Sequence, residues 1–216
     1  MVGGRGAPVL ASSWRERILA SVTPLEQGVA ALDILGSRRL APNPRRPSRT
    51  AAVLVPIMDT DEPAILLTQR ARHLPQHGGQ ISFPGGAAEG ADETAVATAL
   101  REAHEEIGLS PGAVRPIGFL DRIDTISDYR VLPVVGLVAQ ALEWRLDVRE
   151  VAEVFMLPLD VALDRSSYQL ESFVLDGRRT RIPYLLWEER RIWGATAIML
   201  FNLMRRVERA RGAERP

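Results

Sequence analysis

The sequence predicts a mixed α/β fold in which helices pack on a central sheet, and three observations carry that prediction. Two apolar runs, AAVLVPIM (51–58) and AILLTQR (64–70), flank the turn-forming DTDEP and read as paired strands. Asp92 to Ile107 places its apolar residues at the 3.6-residue spacing of a helix and is closed by Gly108. Beyond it, strand-like runs lead to a long helical segment that starts near Gly194.

Residues 1–50 form an N-terminal extension. They carry eight Arg against Glu16, Glu26 and Asp33, and end in the Pro/Arg-rich LAPNPRRPSR. Trp14–Val22 and Val29–Leu35 have helix-compatible spacing, whereas Pro42, Pro44 and Pro47 forbid a continuous helix, so short helices followed by an extended linker are expected. The main domain is expected over residues 51–216. After the first strand pair, the Gly/His-rich HLPQHGGQ leads through ISFPGG into the helix. Strands are then expected at VRPIGFL, RVLPVVGLV, EVAEVFMLPL, YQLESFVL and RTRIPYLLW.

Composition excludes several chemistries. The chain of 216 residues is 46% hydrophobic, enough to bury a sizeable core, and contains no cysteine, which removes disulfides, thiolate metal sites and a thiol nucleophile. All 27 basic residues are arginine, so Schiff-base and Walker-type lysine chemistry is excluded. They balance 27 acidic residues, and a chain without net charge has no field to draw it to nucleic acid or an anionic membrane. A small-molecule ligand is the expectation. No run of about 18 apolar residues is present to span a bilayer, and no secretory leader is legible, so a cytoplasmic location is expected. The arginine-rich extension lacks the interleaved aromatics of a nucleic-acid arm and reads as a solvated segment or an oligomer contact, with a homodimer as the candidate assembly.

The chemistry concentrates in GGAAEGADETAVATALREAHEEIGL (85–109). On its helix Glu102, Glu105 and Glu106 fall at i, i+3 and i+4, so three carboxylates share one face. Such a cluster repels itself unless hard cations occupy it, and Mg²⁺ prefers oxygen ligands. Arg101, four residues before Glu105, is placed to pin that carboxylate, and Ala95, Ala99 and Ala103 provide a small-residue face for close packing. Ahead of the helix, the paired glycines Gly85 and Gly86 let the backbone approach a metal or phosphate.

This segment resembles the box of the Nudix superfamily, in which a Gly and an acid precede Arg-Glu-hydrophobic-x-Glu-Glu-x-Gly-hydrophobic. Here the tail reads Arg101, Glu102, Ala103, His104, Glu105, Glu106, Ile107, Gly108, Leu109. The acid is Asp92 or Glu93: Asp92 keeps the first spacer and lengthens the second by one residue, and Glu93 does the reverse. That extra residue is similar to the coenzyme A diphosphatase subgroup, as is LLTQRARHLPQHGGQISFPGG upstream. Leu66, Leu67, Thr68, Arg70, Ala71, Gly79, Phe83, Pro84, Gly85 and Gly86 fall on that signature, and Pro75 stands where it has a basic residue. With DTISDYRVLPVVGLV and RIWGATAIML, the resemblance spans roughly residues 50–205.

The resemblance implies a Nudix fold, an α/β/α sandwich with a mixed central sheet and added N- and C-terminal helices. It implies that Glu102, Glu105, Glu106 and the Gly85 carbonyl hold Mg²⁺ or Mn²⁺, and that Glu102, Arg101 and Glu105 serve catalysis. Arg70, Gly85 and Gly86 would meet the substrate. The implied reaction is hydrolysis of a diphosphate linkage, with coenzyme A giving 4′-phosphopantetheine and adenosine 3′,5′-bisphosphate. The general base would be Glu102 or a downstream acid, with Asp124, Asp128, Glu150 and Glu153 as candidates. Two rivals are a Nudix hydrolase of another diphosphate (ADP-ribose, a nucleotide sugar or a dinucleotide) and a Nudix-fold sensor without turnover.

Two other features are set aside. His73, His77 and His104 lack the spacing of a zinc site, although His77 is placed to line the pocket. Trp187, Trp193 and Tyr184 read as core aromatics, with base stacking as the alternative.

Overall fold

In the computed structural model, residues 10–27, 38–39, 49–125, 127–139, 143–175 and 178–213 are described. The chain opens with helix α1 (Leu10–Ser21) and the short strand β1 (Arg38–Arg39). It continues through β2 (Arg49–Met58), β3 (Ala64–Arg70), β4 (Ile81–Ser82) and β5 (Gly85–Ala87) to helix α2 (Ala95–Ile107). Then come β6 (Val114–Phe119), β7 (Ile123–Asp124), β8 (Tyr129–Val138), β9 (Val151–Pro158) and the short helix α3 (Leu159–Leu163). A three-stranded antiparallel sheet, β10 (Tyr168–Leu175), β11 (Arg178–Trp187) and β12 (Arg190–Ile192), precedes helix α4 (Gly194–Ala213). The predicted Val29–Leu35 helix and the proline linker lie outside the described residues.

Among the described residues, β1 to β9 form one mixed sheet along the path β1-β7-β8-β2-β3-β4, with β5, β6 and β9 joined at its sides. Its hub is β2, which runs parallel to β8 from Arg49↔Tyr129 to Met58↔Val138. Both strands are buried almost without interruption, as expected of strands covered on two faces. One face carries α2, whose Ala99, Ala103 and Ile107 pack against Leu54, Leu66 and Val134. On the other, Trp14 and Ile18 of α1 and Leu200 and Leu203 of α4 pack with Ile57, Leu67 and Val135. The arrangement is the expected α/β/α sandwich.

Ile18 has no exposed surface, so this part of the N-terminal extension belongs to the core. Arg206 of α4 reinforces the join by donating to the Ser21 carbonyl at 2.8 Å and pairing with Asp121 at 2.5 Å.

The expected strand pair is present, with a shorter shared register than its length allows. The runs at 51–58 and 64–70 are strands, but β2 and β3 share only the register pair Ile57↔Ile65. The same edge of β2 is taken over by β5, through Val53↔Gly85, Ala52↔Gly86 and Ala51↔Ala87. Strand β3 therefore pairs along its length with β9.

Helix α2 begins at Ala95, a correction to the expected start at Asp92. Thr94 has extended backbone angles and its hydroxyl accepts from Ala97 N at 3.1 Å, satisfying one of the donors left open at a helix start. Gly108, at φ 70°, closes the other end with its N–H on the carbonyls of Ala103 and His104. Thr94→Ala is expected to cost about 1 kcal/mol of stability, read by denaturant unfolding.

Candidate active site

The site forms where β5 is drawn between β2 and α2. Gly85 has φ 154°, and a Cβ there would lie 2.5 Å from the Ala52 carbonyl oxygen and 2.6 Å from Val53 Cα. At Gly86 the nearest atoms to a Cβ belong instead to the carboxylate of Glu102, at 2.5 Å. The glycine pair thus brings bare backbone against the box helix.

Glu106 is the most enclosed of the predicted carboxylates, at 4% exposure. Gly85 N donates to its Oε2 at 3.3 Å, and Arg70 Nη1 stands 3.6 Å from its Oε1. Burial pushes its carboxyl up to about 8, against relief from Arg70 and Gly85, while Glu102 and Glu150 repel it. Glu102 is raised as well, first by burial and then by Glu105 and Glu150, with Arg101 opposing.

Arg101 organises the rim. Its Nε and Nη2 grip Asp92 at 3.1 and 2.9 Å, its Nη2 also donates to the Ala87 carbonyl at 3.0 Å, and its Nη1 meets Glu102 and Glu105 at 3.0 Å each. These hydrogen bonds, joined by one from Glu89 N, hold the Asp92 carboxyl far below the usual range. The fork selects Asp92 over Glu93 as the acid of the box. Because a lysine ammonium has no such fork, Arg101→Lys is expected to lower turnover about 10- to 100-fold, read in steady-state kinetics.

Of the predicted metal carboxylates, the structure therefore brings Glu102 and Glu106 together at the glycine loop. Glu105 turns to Arg101 and keeps 56% of its side chain exposed. Among the described residues no three His, Asp or Glu side chains converge tightly enough to hold a metal as they stand. The chemistry of the donors nevertheless fits a hard divalent cation. All are oxygens, and the buried Glu106 and half-buried Glu102 are both raised even with Arg70 and Arg101 beside them.

The four downstream acids separate clearly. Glu150 is close enough to raise both Glu102 and Glu106. A register shift between Gln69 and Arg70, where β3 pairs β9, puts Arg70 opposite Val151, and Ala71 N donates to the Glu150 carbonyl at 2.8 Å. Asp124 is committed to Arg130 at 3.4 Å, and Glu153 to Arg190 on the far face. Asp128 sits in the turn before β8, where its carbonyl accepts from Arg49 N. No sequence signal marks Glu150 above the others, because the register shift that aims it depends on a partner strand about 80 residues away.

The histidines contribute no cluster: His77 Nδ1 is 2.9 Å from Gln80 Oε1 in the exposed loop after β3. Trp187 packs on the core as expected. Trp193 does not, being 45% exposed, and Tyr184 is half-buried beneath the guanidinium of Arg191.

The NUDIX domain family matches residues 48–174. An uncharacterized Nudix hydrolase, NudL, of Salmonella paratyphi B is 42% identical over 155 residues, covering 72% of this chain and 81% of that protein. NudL of Salmonella enteritidis PT4 matches to the same extent. Among solved structures, a NUDIX hydrolase from Nitrosomonas europaea superposes with a TM-score of 0.50 at 17% identity, over 79% of this chain and 76% of the other, a likeness of fold. No helix among the described residues is long and apolar enough to cross a membrane.

Proposed function

The chain belongs to the Nudix hydrolase family, and from that premise we propose that it cleaves the diphosphate linkage of coenzyme A with Mg²⁺ or Mn²⁺ at the Glu102–Glu106 site. Its class of substrate is a nucleoside diphosphate derivative, and hydrolases of this family generally work with such divalent cations. The observation that carries the reading is the seating of Arg70. It ends β3 beside Glu106 and opens directly into the loop that bears the exposed Arg72, His73 and His77. An arginine thus stands beside the paired acids with a further exposed arginine two residues on, which suits a substrate that carries a diphosphate.

Glu102, Glu106 and the Gly85 carbonyl would hold the cation, with Glu105 reaching in from the rim and Glu150 from the start of β9. A bound divalent cation supplies positive charge against the diphosphate and makes a water easier to deprotonate. Arg70 orients the diphosphate. Glu102, in its ionised form, accepts the proton of the attacking water. The water oxygen bonds to phosphorus and the bridging P–O bond breaks, leaving 4′-phosphopantetheine and adenosine 3′,5′-bisphosphate.

Pro75 is exposed in the same loop, so the basic residue of the coenzyme A signature is missing there. That favours, as the second reading, another diphosphate such as ADP-ribose, a nucleotide sugar or a dinucleotide. A turnover panel of coenzyme A and these compounds with Mg²⁺ or Mn²⁺, resolved by chromatography, separates them. Preferred release of 4′-phosphopantetheine supports coenzyme A, and preference for another member keeps the site and replaces the substrate. No turnover of any member would move the chain to a ligand sensor. A homodimer and a cytoplasmic location remain part of the proposal, as does the division at residue 50 between extension and hydrolase domain.

A further inference from the structure

The segment between β8 and β9 does more than connect them. Arg145 N donates to the Ile107 carbonyl at 3.0 Å and Asp147 N to the Glu106 carbonyl at 2.9 Å, so this strap closes the open end of α2. Asp147 then starts a tight turn, its carbonyl accepting from Glu150 N at 2.9 Å and Val151 N at 2.8 Å. Its carboxylate accepts from Arg149 N at 3.0 Å, and grips the Arg149 side chain through Nε at 2.9 Å and Nη2 at 2.5 Å. The next residue is Glu150, whose own carbonyl is held by Ala71 N.

We propose that Asp147, locked by Arg149, is a positioning residue that sets the approach of Glu150 to Glu102 and Glu106. One residue ties the backbone of Glu106 to the turn that presents Glu150, so the helix acids and the strand acid are registered against each other through Asp147. The inference rests on the function proposed above and adds to it the device that aligns the acids from separate elements. It also explains an otherwise idle contact. The Arg149 side chain is 85% exposed, and an ion pair so open to water contributes little to stability. Its consequence is geometric.

The test is a double-mutant cycle on the full chain, with Mn²⁺ affinity read by electron paramagnetic resonance and turnover read on the best substrate of the panel. Arg149→Met and Asp147→Ala are each expected to weaken Mn²⁺ binding and kcat about 10- to 100-fold, as loss of an outer partner does elsewhere. For Arg149→Met the melting temperature should stay within about 3 °C of the parent. In a Glu150→Gln background, adding Arg149→Met should change neither Mn²⁺ affinity nor kcat further. Full additivity in that background, or an unchanged Mn²⁺ affinity in the single variants, overturns the positioning role while the Glu106 site stands. Should Glu106→Gln bind Mn²⁺ and turn over like the parent, the failure lies with the proposed function itself.

Discussion

Glu106→Gln is expected to lower turnover on the order of 10³-fold while making the metal-free protein harder to unfold at pH 8 and above. Both effects come from one burial. In the folded chain the carboxyl is raised from an ordinary 4.5 to about 8, so folding favours its protonated form. That contribution to stability is complete below about pH 4.5, declines as pH rises, and is gone above about pH 8. Its full size is on the order of a few kcal/mol, since a tenfold change in proton affinity corresponds to about 1.4 kcal/mol.

Glutamine keeps the shape and can still accept from Gly85 N, but it never ionises. Thermal melts of the metal-free pair should coincide near pH 5 and diverge as pH rises, with the variant the more stable. An identical pH dependence in the two proteins would show that Glu106 is not the buried acid responsible. A folded Glu106→Gln with parental turnover would remove it from the proposed site.

The second large effect is a contrast between neighbours. Gly85→Ala is expected to cost about 3 kcal/mol or more, because the new Cβ meets the backbone of Ala52 and Val53 at 2.5 and 2.6 Å and φ 154° suits glycine. Neither obstacle can move without pulling β5 from β2. Gly86→Ala meets instead the far end of the Glu102 side chain, which can swing aside. Its stability should change by less than about 1 kcal/mol, whereas displacement of Glu102 should cost about 100-fold or more in kcat. Denaturant unfolding beside steady-state kinetics measures both. Equal losses of stability in the two variants would mean that β5 is held less tightly against β2 than the distances imply.

The tail from Arg101 to Leu109 was legible because its chemistry is local: a helix fixes the spacing of its own side chains whatever surrounds it. The sheet strands were legible for a similar reason, as long apolar runs. What could not be read depended on distant partners. The choice between Asp92 and Glu93 turned on where Thr94 caps the helix and which acid then lies under the Arg101 fork. The pairing of β3 turned on β5 occupying the edge of β2, and β5 is only three residues long. Glu150 comes near enough to raise Glu102 and Glu106 where β9 shifts register against β3, which no pattern within 150–159 encodes. The pairing of Arg101 with Glu105 was legible from their spacing of four, but not that Glu105 would keep 56% of its side chain exposed while Glu106 keeps 5%, since burial is set by the strands packed around the helix.

The two faces of the sheet are packed by different helices, and only the face under α2 carries the acids. Substitutions among Trp14, Ile18, Leu200 and Leu203 are therefore expected to change how long the molecule survives heat more than how fast it works. Resistance to heat is thus expected to be adjustable on the face away from the acids, where a lineage moving to a warmer or colder habitat would find its first substitutions.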